Sequence, residues 1–157
     1  MHTKIDESNL IYTYENEIPI DITLDSDSTI PSYAHAGDAG MDLVASADVV
    51  LTAFTPQAVS TGIKIAIPMG YEGQVRPRSG LSLKGVTVYN APGTINAGAT
   101  EKIKVILIYI PEITFDALSN IQVIGNRTYE IRKGDSIAQL IVSKYNKIVL
   151  NPVLFLK

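Results

Sequence analysis

The sequence predicts an all-β protein, folded as a barrel or a sandwich, with little helix. Short runs rich in Ile, Val, Thr and Tyr recur along the chain, and several of them alternate apolar and polar residues with period two. The 11 glycines and 8 prolines are scattered evenly between these runs rather than clustered. Regular short strands separated by turn residues are typical of barrels and sandwiches.

The strands are predicted in chain order from these alternating or continuous apolar runs. They cover residues 18–24, 62–67, 102–109, 128–132, 137–142, 147–150 and 153–156. The run 102–109 begins as an alternation and becomes continuously apolar, which predicts a strand buried on both faces. Residues 79–84, ending at Gly85, predict one or two helical turns. Segment 113–125 has mixed periodicity and remains unassigned.

Length and charge limit the classes of protein that fit. The 157 residues predict a single domain over 1–157, with residues 1–15 as a loosely held arm or an edge strand. Hydrophobic residues make up 46% of the chain, enough for a core, and the formal net charge is −3. No basic excess exists to neutralise a nucleic-acid backbone, so no nucleic-acid partner is expected. An anionic small molecule remains possible because a few local cations and backbone amides suffice to bind it.

Several kinds of site are excluded by residue type. The chain has no cysteine, which excludes thiol nucleophiles, Cys-ligated zinc and iron–sulfur clusters. Its two histidines, His2 and His35, are too far apart in sequence to suggest a multi-histidine metal site. The longest apolar stretch, 105–111, is far short of the roughly 20 residues that span a bilayer. No secretory signal is visible, so we expect a cytoplasmic protein without a membrane partner; a protein partner is possible but not identified.

Two Gly-containing clusters in the first half of the chain carry polar residues beside predicted strands. Residues 36–43 combine two glycines with Asp38 and Asp42, which predicts a tight turn presenting a carboxylate; the alternative is an Asp-stabilised turn that merely enters a strand. Arg78, Ser79 and Gly80 stand where a helix is predicted to begin. Free amides and an arginine there suit an anion. The alternative is Ser79 as an ordinary N-cap beside a solvated arginine.

Two further clusters follow. Residues 90–98 are turn-rich, and a hairpin with Gly93 and Gly98 would bring backbone groups close to a flat ligand; the alternative is a hairpin loop without a ligand. Residues 133–140 place Gln139 in a run that is otherwise apolar. A polar side chain there needs a hydrogen-bonding partner, which is either structural or a ligand.

Taken in order, the four clusters resemble the motifs of the trimeric dUTP diphosphatase (dUTPase) family. Residues 36–43 resemble its first motif, 77–81 its second, 90–104 its third and 134–140 its fourth. The resemblance extends from about residue 18 to residue 142. It implies a jelly-roll-like β fold and a homotrimer with active sites shared between subunits. It also implies a role in deoxyuridine nucleotide metabolism, as a hydrolase that converts dUTP to dUMP and diphosphate with Mg²⁺.

The resemblance also assigns roles to individual residues. Asp42 matches the carboxylate that holds Mg²⁺, largely through water. Lys104 matches a basic residue near the nucleotide. The residues that match phosphate contacts are Arg78, Ser79, Gly80 and Gln139, and those that match the uracil-binding hairpin are Asn90, Gly93, Thr94 and Ile95.

The third motif departs from the family pattern. Asn96 stands where the family has the Asp that acts as general base, and a neutral amide cannot accept a proton at neutral pH. We therefore expect hydrolysis to be slowed by about 10²–10⁴. Ala99 replaces a Tyr that packs on the deoxyribose, so discrimination against UTP should weaken. Residues 100–102 read Thr-Glu-Lys in place of Arg-Gly-Glu.

Two other departures lie toward the C-terminus. Segment 110–133 is longer than is usual in the family, and the chain ends at residues 151–157 without the Gly-rich fifth motif that closes over the nucleotide. The alternatives are therefore a natural, inactive relative kept as a nucleotide-binding, regulatory or scaffold trimer, or an engineered or truncated form. A dCTP deaminase, which shares the fold, is disfavoured because its catalytic Glu would fall at Thr100.

Overall fold

The computed structural model describes residues 17–155, and these form an almost entirely β structure. The predicted arm 1–15 lies outside the described residues. In chain order the elements are β1 (Ile22–Leu24), β2 (Met41–Val44), β3 (Val49–Thr52), β4 (Gln57–Ser60), β5 (Ile63–Ile65), β6 (Tyr71–Arg76), α1 (Ser79–Ser82), β7 (Val86–Val88), β8 (Gly93–Ile95), β9 (Lys104–Tyr109), β10 (Ile113–Phe115), β11 (Ile121–Val123), β12 (Thr128–Ile131) and β13 (Ser136–Lys144). The predicted all-β class is confirmed.

The strands pair into two larger sheets and three two-stranded ones. The four-stranded sheet has the order β2-β13-β6-β8, and the three-stranded sheet has the order β4-β9-β7. The pairs β1-β5, β10-β11 and β12-β3 complete the arrangement, and every paired strand runs antiparallel to its neighbour. The four-stranded sheet matters most for function because it carries three of the four sequence motifs.

The core is built from apolar positions of the two larger sheets and of β3, β5 and β12. β9 contributes Val105 and Leu107, which are fully buried, and Ile108 and Tyr109, which are nearly so. The prediction of a strand buried on both faces is therefore confirmed for its second half. The other fully buried large side chains come from β2, β3, β4, β5, β7, β12 and β13, together with Thr61, and are Leu43, Leu51, Val59, Ile63, Val86, Ile131, Ile137 and Leu140.

A β-bulge in β13 sets which residues of that strand face the core. Ser136 lies opposite Val44, but Ala138 lies opposite Leu43, so Ile137 is the extra residue. Ile137 and Ala138 are consecutive and both buried, which a regular strand with period two does not allow. Beyond the bulge, Leu140 points into the core and Gln139 points to the opposite face.

The predicted strands have mixed outcomes. The strands predicted at 62–67, 102–109, 128–132 and 137–142 are confirmed with small changes in length, and 18–24 is reduced to β1. The strands predicted at 147–150 and 153–156 are wrong within the described residues. Residues 146–155 pair with no described strand and their apolar side chains are exposed, Leu154 at 94%. Alternation favours a strand only where a neighbouring strand and a packed face exist, and β13 ends at Lys144.

The helix and the unassigned segment are also defined by the structure. α1 contains four residues and its N-cap is Arg78, with no side-chain capping bond, so the interpretation of Ser79 as an N-cap is wrong. Segment 113–125 forms the β10–β11 hairpin. Its turn is held by Asp116, whose Oδ1 accepts hydrogen bonds from the amides of Leu118 and Asn120 at 2.8 and 2.9 Å. Within residues 17–155, no helix is long and apolar enough to cross a bilayer.

Candidate active site

The predicted site residues fall into two clefts on either side of β6. We call the first the arginine cleft; its lining includes Asp42, Arg76, Arg78, Ser79, Gly80 and Gln139. We call the second the asparagine cleft; its lining includes Asn90, residues 93–96 and residues 99–104. On β6 itself, Gln74 and Arg76 line the arginine cleft and Val75 lines the asparagine cleft. Alternate residues of one strand thus separate the two clefts.

Arg78 is fixed in the arginine cleft by two contacts. Its Nη2 lies 3.3 Å from Oδ2 of Asp42, and its Nη1 donates a hydrogen bond to the Ser136 carbonyl at 3.2 Å. Both charged side chains are partly exposed, at 34% for Arg78 and 23% for Asp42. The guanidinium is therefore oriented but still accessible to an anion from the cleft.

Gln139 lies in the same cleft, on the neighbouring strand. Its Nε2 donates a hydrogen bond to the Pro77 carbonyl at 3.1 Å, so the polar residue in the apolar run has a structural partner. A Cβ on Gly40 would approach Oε1 of Gln139 to 2.8 Å. Gln139 therefore occupies space that a side chain at residue 40 would fill. This close approach links the first motif, which contains Gly40, to the fourth, which contains Gln139.

The asparagine cleft is formed by β8 and the turn that follows it. β8 pairs antiparallel with β6, with Gly93 opposite Val75 and Ile95 opposite Gly73. The turn is closed by a hydrogen bond of 3.1 Å from the Ala99 amide to the Asn96 carbonyl. Segment 90–98 is therefore a short strand plus a turn, rather than the simple hairpin between two strands that the sequence suggests.

The polar side chains of the asparagine cleft are largely unpaired. The side chains of Asn90, Thr94, Asn96 and Lys104 form no hydrogen bond or ion pair with any residue in 17–155. All four residues are exposed. At the rim, Lys102 Nζ lies 2.8 Å from Oδ2 of Asp25. The ion pair between Lys102 and Asp25 therefore links the loop between β8 and β9 to the segment that follows β1.

The predicted residues are sorted by chemical type between the clefts. The arginine cleft contains the predicted phosphate and metal residues Asp42, Arg78, Ser79, Gly80 and Gln139. The asparagine cleft contains the predicted nucleoside residues Asn90, Gly93, Thr94, Ile95, Asn96 and Lys104. Sequence reasoning missed Arg76, which lines the arginine cleft. Its signal was the pair of arginines flanking Pro77.

The donor set of the arginine cleft fits a magnesium ion that is shared with a phosphate ligand. Among the described residues no group of three or more His, Asp or Glu side chains is arranged to hold a metal. Asp42 uses Oδ2 in its ion pair, and its Oδ1 has no partner within residues 17–155. Mg²⁺ commonly keeps several waters and takes one or two carboxylates plus substrate phosphates, so one such oxygen suits it.

Comparisons with known proteins identify the family of the chain. The dUTPase family profile matches residues 26–157. The chain belongs to the dUTPase family. A deoxyuridine 5'-triphosphate nucleotidohydrolase of Clostridium kluyveri is 37% identical over 135 residues, covering 85% of each chain. One from Wolbachia pipientis of Culex pipiens is 42% identical over 127 residues, covering 79% of this chain and 74% of the relative.

Solved dUTPase structures share the fold. A point mutant of the dUTPase from phage phi11 of S. aureus is 26% identical, with a TM-score of 0.71 over 88% of this chain and 98% of that one. A structural Mg(II) ion is described in that phage enzyme. The likeness confirms the predicted dUTPase-like jelly-roll architecture.

Proposed function

We propose that this protein binds dUTP and hydrolyses it to dUMP and diphosphate. The observation that carries the proposal is the sorting of the motif residues into a partly pre-paired cleft with two arginines and a second cleft with two asparagine side chains, on either side of β6. A nucleotide needs both kinds of environment, one for its phosphates and one for its base. The nucleotidohydrolase relatives support the same reaction for this chain.

The arginine cleft would bind the phosphates. Arg78 offers a planar fork of donors that matches a phosphate group, and its contacts with Asp42 and Ser136 hold it in place. The amides of Ser79 and Gly80 precede the intrahelical bonds of α1 and are free to donate. Mg²⁺ held by Asp42 would neutralise part of the phosphate charge. Gln139, anchored on Pro77, would contribute a further polar contact.

The asparagine cleft would bind the nucleoside. The Asn90 side chain and the polypeptide backbone of Gly93, Thr94 and Ile95 present donors and acceptors to the edge of a flat base. Lys104 lies in the same cleft and would lie near the nucleotide. Ala99 leaves the wall beside the turn without a large side chain, so we expect UTP to be accepted alongside dUTP.

A second copy of the chain would complete the site. Because β6 separates the two clefts, a nucleotide seated in the arginine cleft of one copy would receive its nucleoside contacts from the asparagine cleft of another. The proposal therefore includes a homotrimer, as the family resemblance implies, and a cytoplasmic location, as the sequence predicts.

The proposed reaction is an in-line attack of water on the α-phosphorus. The bond from phosphorus to the bridging oxygen breaks, diphosphate leaves, and the proton of the attacking water passes to solvent. Arg78 and the amides of Ser79 and Gly80 would stabilise the negative charge that develops on the phosphoryl oxygens. Asn96 orients water at best, because its amide cannot take a proton, so turnover is expected to be slow.

The alternative function is a nucleotide-binding, regulatory or scaffold trimer that does not turn over its ligand. The observation that favours it is Asn96, a neutral residue in the exposed turn after β8 where the family has a carboxylate. The arginine cleft would serve such a protein equally well, since binding needs no general base.

The test is release of diphosphate from dUTP in the presence of Mg²⁺, with UTP in parallel and affinity measured by calorimetry. Turnover supports the proposed reaction, and binding without turnover supports the alternative. Absence of both, with no thermal shift from any nucleotide, would refute hydrolysis and nucleotide binding alike and leave only the scaffold role. Sedimentation of the same samples reports whether the chain forms the trimer.

A further inference from the structure

We infer that Arg76 is a second phosphate-binding cation in the arginine cleft, which recognises the β- and γ-phosphates of the nucleotide. The inference deepens the proposed function and rests on it. It assigns a task to a residue that the four sequence motifs leave out. Three independent features of the structure support it: the position of Arg76 in the sheet, the neutral partner that orients it, and its spacing from Arg78.

The first feature is the register of the four-stranded sheet. Gln139 on β13 lies directly opposite Asp42 on β2 and directly opposite Arg76 on β6. The next residues along these strands, Leu43, Leu140 and Val75, point into the core, so the three polar side chains share the opposite face. They form one row across three strands, in which Arg76 is the immediate neighbour of a predicted phosphate contact.

The second feature is the way in which Arg76 is held. Its Nε and Nη2 donate hydrogen bonds of 3.0 and 2.6 Å to Oε1 of Gln74, and Gln74 Nε2 donates one of 2.6 Å to Oε1 of Glu72. Within residues 17–155 no carboxylate lies at ion-pair distance from Arg76, whereas Arg78 has Asp42. A neutral amide thus orients the guanidinium without cancelling its charge, and Nη1 remains available.

The third feature is the spacing of the two arginines. Arg76 ends β6, and Arg78 has an extended conformation with φ −102° and ψ 132°. Residues two apart in an extended chain point to the same side, about 6.6 Å apart. Both side chains line the same cleft, so a triphosphate bound there would lie within reach of both guanidinium groups. An arginine at each position would contact different phosphates rather than compete for one.

The experiment compares two ligands that differ in phosphate number. Calorimetry would measure the affinity of the proposed trimer for dUMP and for the non-hydrolysable α,β-imido analogue of dUTP, with Mg²⁺ present. For Arg76→Gln we expect binding of the imido analogue to weaken by about tenfold or more, because a charge-assisted hydrogen bond is lost, while dUMP binding changes less than about twofold. Arg76→Lys, which keeps the charge but not the fork, should lose about threefold.

A matched control is Arg127→Gln, which removes the same guanidinium from an exposed position that lines neither cleft. It should leave both affinities unchanged. Unchanged binding of the imido analogue by Arg76→Gln would overturn the inference, and so would equal weakening of both ligands, which indicates a structural role. If Arg76→Gln does not fold, as shown by the loss of its thermal transition, the affinity of Arg76→Lys for the imido analogue is measured instead. Wild-type affinity in Arg76→Lys would overturn the inference. A wild-type protein that binds neither ligand refutes the proposed function itself.

Discussion

The arginine cleft and the asparagine cleft are separated by one strand but are organised differently. In the arginine cleft, Arg78, Asp42 and Gln139 are held by an ion pair and by hydrogen bonds to backbone carbonyls. In the asparagine cleft, Asn90, Asn96 and Lys104 are exposed, and their side chains have no partner within residues 17–155. Pre-paired groups lose less freedom when a ligand binds. The comparison indicates that the arginine cleft supplies binding affinity and that the asparagine cleft determines whether the bound nucleotide is hydrolysed.

The largest expected effect comes from changing the asparagine cleft alone. Asn96→Asp should raise the rate of diphosphate release from dUTP by about 10²–10⁴, because a carboxylate can accept the proton of the attacking water. Steady-state kinetics at neutral pH would measure it, with Asn126→Asp as an exposed control outside both clefts. No gain in rate, with dUTP still bound, would mean that the cleft lacks more than a base.

A change in the arginine cleft should act on affinity and rate together. Arg78→Gln removes the oriented guanidinium and leaves Asp42 without its ion-pair partner. We expect kcat/KM for dUTP to fall by about 10²–10³, since loss of one donor to a developing oxyanion typically costs this much. Calorimetry on the same variant should show weaker binding of the imido analogue. Unchanged binding would contradict the assignment of this cleft to the phosphates.

Packing inside the arginine cleft gives a smaller effect. Gly40→Ala places a Cβ 2.8 Å from Oε1 and 3.1 Å from Cβ of Gln139, so Gln139 must shift away from Pro77. We expect a loss of stability of about 1–3 kcal/mol, as for other overpacked sites, and a several-fold loss of triphosphate affinity. Chemical denaturation measures the loss of stability. Gly70→Ala is an unsuitable control because Gly70 has a φ of +87°, which an alanine rarely adopts. Gly37→Ala, which has open space around it, is the matched control.

The smallest effect lies in the β10–β11 hairpin, which lines neither cleft. The side-chain and backbone hydrogen bonds from Asn120, together with that from the Leu118 amide, lower the pKa of Asp116. Because the pKa is lowered by folding, the ionised Asp116 carboxylate stabilises the turn when the pH is above the pKa of the same group in the unfolded chain. This stabilisation is lost as the pH falls through the lowered pKa of the folded protein. Titration of the Asp116 carboxyl by NMR should give a midpoint below that of the same residue in a short unfolded peptide.

That hairpin also serves as a reference for the two clefts. Asp116→Asn should loosen the turn without changing the affinity for dUTP or its rate of hydrolysis. A change in nucleotide binding would show that the hairpin communicates with a cleft, and the difference between the clefts could then not be ascribed to their own residues alone.

How much of the fold and of the candidate site can be predicted from the sequence depends on whether the residues that determine a feature lie close together in the chain. The buried half of β9 is evident from its continuous apolar run, since periodicity and burial coincide there. The polar Gln139 within an apolar run is likewise visible, although its partner, the Pro77 carbonyl, is 62 residues away and requires the fold. Arg76 was not predicted as a site residue because part of its environment also comes from a distant segment of the chain. Its environment is created by Gln74 beside it and by Gln139 from another strand.

The incorrect predictions have equally physical causes. Residues 147–150 and 153–156 alternate like strands, but a strand also needs a neighbour, which the pattern cannot supply. Ser79 has the chemistry of an N-cap, yet the helix begins one residue earlier than that role requires. The separation of the site residues into two clefts was also invisible, because it depends on which face of β6 each neighbouring strand presents.

The bulge in β13 determines what the protein loses when one residue is deleted from that strand. The extra residue, Ile137, adds a buried side chain without changing the pairing beyond it, where Leu140 enters the core and Gln139 stands beside Asp42 and Arg76. Without Ile137, Ser136 and Ala138 would still lie opposite Val44 and Leu43 as a regular ladder, so Gln139 and Leu140 would keep their faces and the loss would be the core packing of the buried Ile137 side chain. Loss of one codon at this point would therefore cost core packing but keep Gln139 in the arginine cleft, whereas a one-residue shift in the pairing of the strand beyond the bulge would turn Gln139 inward and Leu140 outward.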